Sequence, residues 1–170
     1  MDTEQQRLLI DFANTDTQGG WQIINDGVMG GLSQSEMRIS NSGTAIFRGN
    51  VSLQNNGGFA STRTRLQGSG LNDYSGIVLR IRGDGKTYHL RLRTDNRFDG
   101  VSYRQRFDTE PDQWITVHLP FKHFEPVFRG RVLNDVGSLK PESIQQMGFL
   151  ISDKQDGPFT LEVQWIKAYK

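Results

Sequence analysis

Basic residues recur at every second position along two neighbouring segments of this sequence. The series consists of Arg80, Arg82, His89, Arg91 and Arg93. Arginine carries a planar fork of N–H donors, which suits bidentate contact with a carboxylate or a phosphate. The spacing therefore predicts one basic face, which either contacts an anionic ligand or partner or pairs with Asp and Glu on neighbouring strands.

Two further stretches extend this candidate binding surface. Arg104 and Arg106 alternate with apolar residues in the segment VSYRQRF, where Tyr103 could add a stacking surface, as could Trp114 in the next segment. The stretch 125–140 is long for a loop in a compact domain, and long loops are often functional. It contains an apolar and basic mixture typical of protein-contact surfaces, namely Phe128, Arg129, Arg131 and Val132.

Other kinds of chemistry receive little support. The segment DGVMGG at 26–31 is followed by no GK[ST], so its glycines predict a turn with positive φ rather than a phosphate loop. His118 and His123 are five residues apart, and His89 is remote, so a three-histidine metal site could form only through folding. There is no cysteine and no G-x-S-x-G motif. Paired carboxylates and a bound Ca²⁺ stay open, while the prediction is a non-enzyme without cofactor or metal.

The elements that must position the basic residues are predicted as strands. Gly76–Arg82 and the following segment to Thr94 flank a Gly-Asp-Gly turn, the typical signal of a β-hairpin. Successive strand side chains alternate between faces. We therefore expect a set of apolar residues to face a second sheet while the basic residues face outward; this set is Ile77, Leu79, Ile81, Leu90 and Leu92.

The remaining sequence predicts further short strands and almost no helix. About ten strands follow one another at close spacing with turn residues between them. Pro141–Met147 is the only helical candidate, and Pro120–Lys140 is predicted to be irregular. This pattern predicts an all-β fold, a β-sandwich or jelly roll of two antiparallel sheets with at most one short helix. It also predicts a single domain over 1–170, with a core of about 9–169.

The composition indicates a globular chain with a local excess of positive charge. The 170 residues carry a net charge of +1, but residues 63–131 hold 13 basic and 8 acidic residues, a net charge of +5. Overall charge is nearly neutral and there is no basic tail, so nucleic acid is not an expected partner. The acidic N-terminal segment has neither a signal-peptide nor a transit-peptide character. The sequence therefore predicts a cytoplasmic protein, which can reach a membrane only peripherally, through its partners.

An ordered set of motifs resembles the complex I intermediate-associated protein 30 family. The matching pieces are NDGVMGGLSQS, FRGNVSLQNNGGFASTR, GIVLRIRGDGKTYHLRLR, YRQRF, WITVHLPFKHF, FRGR and GPFTLEVQWI. Each piece is unspecific alone, but their order and spacing extend over roughly Leu9 to Tyr169. The resemblance implies a galactose-binding-like jelly roll, a fold shared with many carbohydrate-binding modules.

The resemblance also implies a role in assembling membrane-bound electron-transfer complexes, either respiratory complex I or a photosynthetic complex. The leading hypothesis is a non-catalytic assembly factor that contacts protein subunits. A module that binds carbohydrate or another small polar ligand is the alternative, and an enzyme is the third possibility. The ligand-binding or partner-binding residues predicted for the first two hypotheses are Arg80, Arg82, His89, Arg91, Arg93, Arg104, Arg106, Phe128, Arg129 and Arg131.

Overall fold

The computed structural model describes residues 5–14, 20–66 and 70–170, which fold into two antiparallel β-sheets packed face to face. The predicted all-β sandwich is confirmed. Its described strands are β1 (Gln6–Asp11), β2 (Gln22–Ile23), β3 (Gln34–Ile39), β4 (Ala45–Val51), β5 (Ala60–Arg65), β6 (Gly76–Arg82), β7 (Thr87–Arg93), β8 (Ser102–Asp108), β9 (Trp114–Pro120), β10 (Glu125–Phe128), β11 (Arg131–Val132), β12 (Gln146–Ile151) and β13 (Gly157–Tyr169).

One sheet has six strands and the other has seven. The six-stranded sheet has the order β3-β4-β13-β6-β9, and β1 pairs with the long strand β13 as well. The seven-stranded sheet has the order β11-β10-β8-β7-β12-β5-β2. Every pairing between these strands is antiparallel, and most join strands that are distant in the sequence. The sheet order therefore depends on long-range contacts.

Helical structure in the described residues is limited to short 3-10 turns. These turns are Asp26–Met29, Gln54–Asn56, Phe121–His123 and Pro141–Ser143. The predicted helix Pro141–Met147 is therefore wrong beyond its first turn, because the chain enters β12 at Gln146 and its alternating side chains pack into the core. None of the helices that the structure describes has the length and apolar character needed to cross a bilayer.

The core lies between the two sheets and takes side chains from both. The residues predicted to face inward are all fully buried, namely Ile77, Leu79, Ile81, Leu90 and Leu92. Aromatic rings from both sheets meet there, since Phe159 contacts Phe47 and Tyr88 at ring centroid distances of 5.0 and 6.3 Å. Each large apolar side chain buried in this way contributes roughly 1.5–3 kcal/mol to folding.

The predicted hairpin between β6 and β7 is wrong, because these strands lie in different sheets. β6 pairs with β13 and β9, while β7 pairs with β8 and β12, so no edge of β6 is left for β7. The Gly-Asp-Gly segment instead forms a corner that carries the chain from one sheet to the other. Asp84 holds this corner, since its carboxylate accepts hydrogen bonds from the Tyr88 hydroxyl at 3.0 Å and from Thr160 N–H at 2.9 Å.

The prediction of an irregular segment from Pro120 to Lys140 is also wrong in part. β10 and β11 form a short hairpin there, and β10 pairs with β8 at the end of the seven-stranded sheet. Arg129 and Gly130 make its turn with positive φ values of 50° and 82°. Pro126 lies inside β10. Because proline cannot donate a backbone hydrogen bond, it weakens the strand signal in the sequence.

Candidate functional site

The two sheets divide the predicted basic face between them. His89, Arg91 and Arg93 lie outward on the seven-stranded sheet, whereas Arg80 and Arg82 lie outward on the six-stranded sheet. The prediction that all five share one face is therefore wrong for Arg80 and Arg82. The physical reason is the corner between β6 and β7, which preserves the alternation of side chains but changes the sheet.

Arg80 and Arg82 have partners on their own sheet. Arg82 forms an ion pair with Glu162 at 2.7 Å and lies over the Trp114 ring at 5.1 Å from its centroid. Arg80 donates a hydrogen bond to Thr116 Oγ1 at 3.1 Å. For Arg82 the alternative of internal pairing is therefore correct, and Trp114 offers no stacking surface to the seven-stranded sheet.

The outward face of the seven-stranded sheet, which we call the arginine face, collects residues from four adjacent strands. Its central residues are Ser61, Arg63 and Arg65 from β5, His89, Arg91 and Arg93 from β7, Ser102, Arg104 and Arg106 from β8, and Gln146, Gly148 and Leu150 from β12. The sequence prediction found the β7 and β8 members but missed those of β5 and β12. The alternation of β5 does place Arg63 and Arg65 on one face, but nothing local indicates which strands are its neighbours.

Tyr103 of β8 faces the opposite way. It is buried in the core, and its hydroxyl donates a hydrogen bond to the Gly137 carbonyl at 2.9 Å. Tyr103 therefore adds no stacking surface to the arginine face.

Two arginines of this face are neutralised by carboxylates. Arg104 pairs with Glu125 at 2.9 Å, and Arg106 pairs with Asp153 at 3.1 Å. Both pairs join strands or loops that are neighbours only in the folded chain. Arg104 and Arg106 are therefore positioned mainly by internal pairing.

The four other arginines of this face form no ion pair within the described part of the chain, and three of them donate hydrogen bonds. Arg63 donates to the Phe98 carbonyl at 2.8 Å, and Arg93 donates to the Gly100 carbonyl at 3.0 Å. Arg91 donates to Ser102 Oγ at 3.1 Å and to a histidine nitrogen at 3.2 Å. All these acceptors are neutral. The arginine face therefore keeps four arginines that form no ion pair with a carboxylate, of which Arg63, Arg91 and Arg93 donate to neutral groups.

His89 lies between Arg91, which forms no ion pair, and the ion pair of Arg106 with Asp153. Its Nδ1 lies 3.2 Å from Arg91 Nη2, and its Nε2 lies 2.8 Å from Asp153 Oδ2. Because arginine can only donate, Nδ1 must accept, and Nε2 must carry the proton that is donated to Asp153. Burial lowers the pKa of His89 to about 4, against the opposing effect of the hydrogen bond that His89 donates to Asp153. His89 is therefore neutral at pH 7 and adds no charge to the face.

The buried neutral imidazole makes stability depend on pH with a defined sign. The folded-state pKa of about 4 is lower than the ordinary value of 6.5, so the unfolded chain binds more protons between these values. The charged groups around the ring are Asp153, Arg91 and Arg106. We expect the melting temperature to fall as the pH decreases from 6.5 to 4, and His89→Gln to remove most of this decrease.

The measurement is a series of thermal melts between pH 7.5 and pH 4. Glutamine can donate to Asp153 and accept from Arg91 without titrating. His123 is exposed, so His123→Gln is the matched control and should keep the pH dependence of the unmodified chain. An unchanged pH dependence in His89→Gln would contradict the assignment.

One edge of the arginine face carries exposed and half-buried apolar side chains beside arginines. This edge, which we call the rim, consists of Phe98, Phe128, Arg129, Arg131 and Val132. The Arg129 guanidinium lies over the Phe128 ring at 5.2 Å from its centroid, and Arg63 of the arginine face lies over Phe98 at the same distance. Arg129 also pairs with Asp99 at 2.8 Å, which joins the β10–β11 hairpin to the loop before β8.

The other candidates of the sequence analysis do not gather into a site. Within residues 5–14, 20–66 and 70–170, no group of three or more His, Asp, Glu or Cys side chains is placed to hold a metal ion. His118 makes a ring contact with Tyr169 at 4.9 Å on the six-stranded sheet, far in the topology from His89. The predicted turn at 26–31 is confirmed by the left-handed conformation of Gly30, with φ of 87°.

Asp26 has a larger role than the turn residue predicted from the sequence. It is fully buried, and its carboxylate accepts hydrogen bonds from Ser33 N–H at 2.9 Å, Gly58 N–H at 2.7 Å and Phe59 N–H at 3.2 Å. The Ser33 hydroxyl also donates to it. Asp26 therefore fastens three segments together at one end of the sandwich, as a structural anchor.

Comparison with known sequences identifies related proteins. A profile of the family described as complex I intermediate-associated protein 30 matches residues 10–163. The mitochondrial protein of that name from Mus musculus is 27% identical, with 98% of this chain and 57% of the mouse protein covered. The Drosophila melanogaster protein is 25% identical, with 94% and 61% covered. This chain therefore spans little more than half the length of these curated relatives.

Solved structures share the fold at low sequence identity. The family 11 carbohydrate-binding module of the cellulosomal cellulase Lic26A-Cel5E of Clostridium thermocellum superposes with a TM-score of 0.73 at 15% identity, covering 98% of this chain and 95% of the module. The Clostridium thermocellum family 11 module in complex with a β-1,3-1,4-mixed-linked tetrasaccharide gives a TM-score of 0.68 at 16% identity, covering 99% and 96%. At such identities the likeness supports the jelly-roll sandwich alone.

The curated relatives described above correct the prediction of a cytoplasmic protein. The proteins from mouse, fly, Caenorhabditis elegans and Neurospora crassa are all named as mitochondrial, so the cytoplasmic prediction is wrong. That prediction rested on the N-terminal residues, of which 1–4 lie outside the described residues. The family profile, the curated relatives and the ordered motifs agree over most of the sequence. The chain belongs to the complex I intermediate-associated protein 30 family.

Proposed function

We propose that this chain is a non-catalytic assembly factor that binds protein subunits of a membrane-bound electron-transfer complex of the complex I type. The names of its relatives support the assembly role. We also propose that residues 1–170 act as one jelly-roll domain with a core of about 9–169, because a continuous set of buried side chains runs from Ile10 to Ala168.

The observation that carries the proposed mode of binding is the joint presence of uncompensated arginines and an apolar rim. Arg63, Arg91 and Arg93 form no ion pair among the described residues. Phe98, over which Arg63 lies, is 54% exposed, and Val132 at the β11 edge of the same sheet is 45% exposed. Protein interfaces are enriched in arginine and aromatic residues, and complementary charge guides association. An acidic protein surface with apolar patches would therefore fit this face.

Carbohydrate binding is the second candidate, favoured by the fold of the modules described above. It receives less support from the side chains. The outward side chains of β5, β7, β8 and β12, as far as the structure describes them, include no Phe, Tyr or Trp against which a sugar ring could stack. Ligand sites of small molecules are lined mainly by apolar and aromatic groups. A glycan array would detect this alternative directly.

If the rim contacts the partner, removing its arginines should reduce partner capture measurably. In Arg129→Ala and Arg131→Ala together, we expect capture of complex I subunits from solubilised native membranes to fall roughly two- to tenfold, with the larger loss at low salt, where attraction is less screened. The melting temperature should hardly change, because the Arg129–Asp99 pair is exposed and such pairs contribute about 0–1 kcal/mol.

The matched control is Arg48→Ala. Arg48 also forms an exposed ion pair, with Glu36 at 2.6 Å, but lies on the six-stranded sheet. Its removal should leave capture unchanged at every salt concentration. If the rim variant captures the same subunits as the control in the same amounts, partner binding does not use the rim.

A further inference from the structure

A shallow depression lies on the arginine face where β5, β7 and β12 run side by side. Its outward lining is formed by Ser61, Arg63, Arg91, Arg93, Gln146, Gly148 and Leu150. Gly148 is the register partner of Arg91 on one side and of Arg63 on the other. Because glycine has no side chain, bare backbone forms the floor between two guanidinium-bearing positions two strand spacings apart, roughly 10 Å.

The floor cannot carry a larger residue. A Cβ atom at Gly148 would lie 2.4 Å from the Thr62 carbonyl oxygen and 3.0 Å from Arg63 Cβ. Glycine therefore permits the close approach of β5 and also keeps the depression open between the arginines.

None of the arginines that line this depression forms an ion pair within the described residues, and the carboxylates that act on Arg63 and Arg93, Asp95 and Asp99, do so from beyond ion-pair distance. The ion pairs of the arginine face involve Arg104 and Arg106, while Arg63, Arg91 and Arg93 have only neutral acceptors in the part of the chain that the structure describes. Burial, followed by the charges of neighbouring arginines, lowers the pKa of Arg91 to about 10, and burial together with Arg93 does the same for Arg63. The three positive charges thus lie where an added negative charge would be favourable.

Arg91, which lines the depression, also keeps an unused donor. Of its five N–H groups, Nη1 donates to Ser102 and Nη2 donates to His89. Its Nε is buried and has no hydrogen-bond partner among the described protein atoms. Buried donors are nearly always satisfied, so an unpaired one beside two further guanidiniums indicates a place for an acceptor.

The number of charges selects the class of acceptor. A single carboxylate brings one negative charge and a planar pair of oxygens, which one guanidinium fork can satisfy. Three guanidiniums around one small depression match a dianionic oxyanion that presents oxygens on several sides. We propose that the depression between β5, β7 and β12 is a binding site for phosphate, either free or as a phosphate monoester, held by Arg63, Arg91 and Arg93. The site takes this small anion whether or not a protein partner docks on the same face.

Titration of the full chain with inorganic phosphate tests the proposal. Phosphate should raise the melting temperature saturably, because a ligand that binds the folded state alone stabilises it. Sodium chloride at matched ionic strength should not. Loss of a charge-assisted contact in Arg91→Met or Arg63→Gln should weaken phosphate binding by about tenfold or more.

Arg80→Gln is the matched control, because Arg80 lies outward on the other sheet and donates to a neutral hydroxyl. It should bind phosphate as the unmodified chain does. Arg63→Gln removes a side chain that reaches the rim rather than the core, so it keeps the test valid if Arg91→Met does not fold.

Competition with glycerol phosphate distinguishes the source of the anion. Equal affinity for the two indicates a monoester ligand, and preference for inorganic phosphate indicates the free anion; both support the site. The proposal is overturned if phosphate binding does not saturate, if chloride produces the same stabilisation, or if Arg80→Gln loses binding as Arg63→Gln does. None of these results bears on the capture of complex I subunits, which is measured separately.

Discussion

Replacing Asp26 by alanine should destabilise the fold by at least about 3 kcal/mol. The substitution leaves four donors without their acceptor, namely the Ser33 hydroxyl and the N–H groups of Ser33, Gly58 and Phe59. Each buried polar group left unsatisfied costs roughly 1–3 kcal/mol. Solvent entering the opened end of the sandwich will satisfy some of them, so the total is smaller than the sum.

Acid should reproduce part of this loss. Burial alone would raise the pKa of Asp26, but the hydrogen bonds from Ser33, Gly58 and Phe59 together lower it below the ordinary value of 3.8. A depressed folded-state pKa stabilises the fold above the unfolded value and stops doing so as the pH falls through the folded value. The contribution of Asp26 is therefore complete at neutral pH and is lost in acid below pH 3.8.

Chemical denaturation at pH 7 measures the effect. Asp73→Ala is the control, because Asp73 is an exposed acid in a loop and its removal should change stability by less than about 0.5 kcal/mol. Asp26→Asn should fall between the two, since it keeps one acceptor oxygen but directs an NH₂ group towards donors. A loss of less than about 1 kcal/mol in Asp26→Ala would show that the four contacts do not anchor this end.

The anchoring role of Asp26 illustrates what a local pattern cannot predict. The glycines around it identify a turn, and the structure confirms that turn. The donors, however, come from positions up to 33 residues away, which become neighbours only when the two sheets form. The local sequence therefore does not distinguish an aspartate that only forms a turn from an aspartate that is buried and anchors several segments.

The arginine face shows the same division between local and long-range information. Alternation correctly predicted that Leu90 and Leu92 face inward while Arg91 and Arg93 face outward, because this depends only on the geometry of one strand. It could not predict that β12 and β5 lie beside β7, which places Gly148 and Arg63 next to Arg91.

The separation of Arg80 and Arg82 from this face has a related cause. A hairpin and a corner between two packed sheets share the same turn residues and the same alternation on both sides. The choice between them depends on which strands occupy the edges of β6, and those are β9 and β13, the latter about 80 residues further along the chain. The side of each strand could thus be predicted, while the sheet could not.

Leu90→Ala should cost about 2–5 kcal/mol of folding free energy, the range found for leucine truncation in well-packed cores. Leu90 is fully buried at the centre of β7, with Gln105 of β8 and Phe149 of β12 as its register partners. These neighbours belong to central strands that are paired on both sides, so they cannot move in to fill the space.

Urea denaturation at neutral pH measures this loss, and Leu53→Ala provides the control, because Leu53 is 42% exposed and its truncation should cost less than about 0.5 kcal/mol. A loss below about 1 kcal/mol in Leu90→Ala would mean that the inward and outward faces of β7 are exchanged. The result therefore also tests the arginine face, since Arg91 lies outward only if its neighbour Leu90 lies inward. A large loss of folding free energy in Leu90→Ala, together with normal stability in Arg91→Met, would show that Leu90 lies on the inward face of β7 and Arg91 on the outward face.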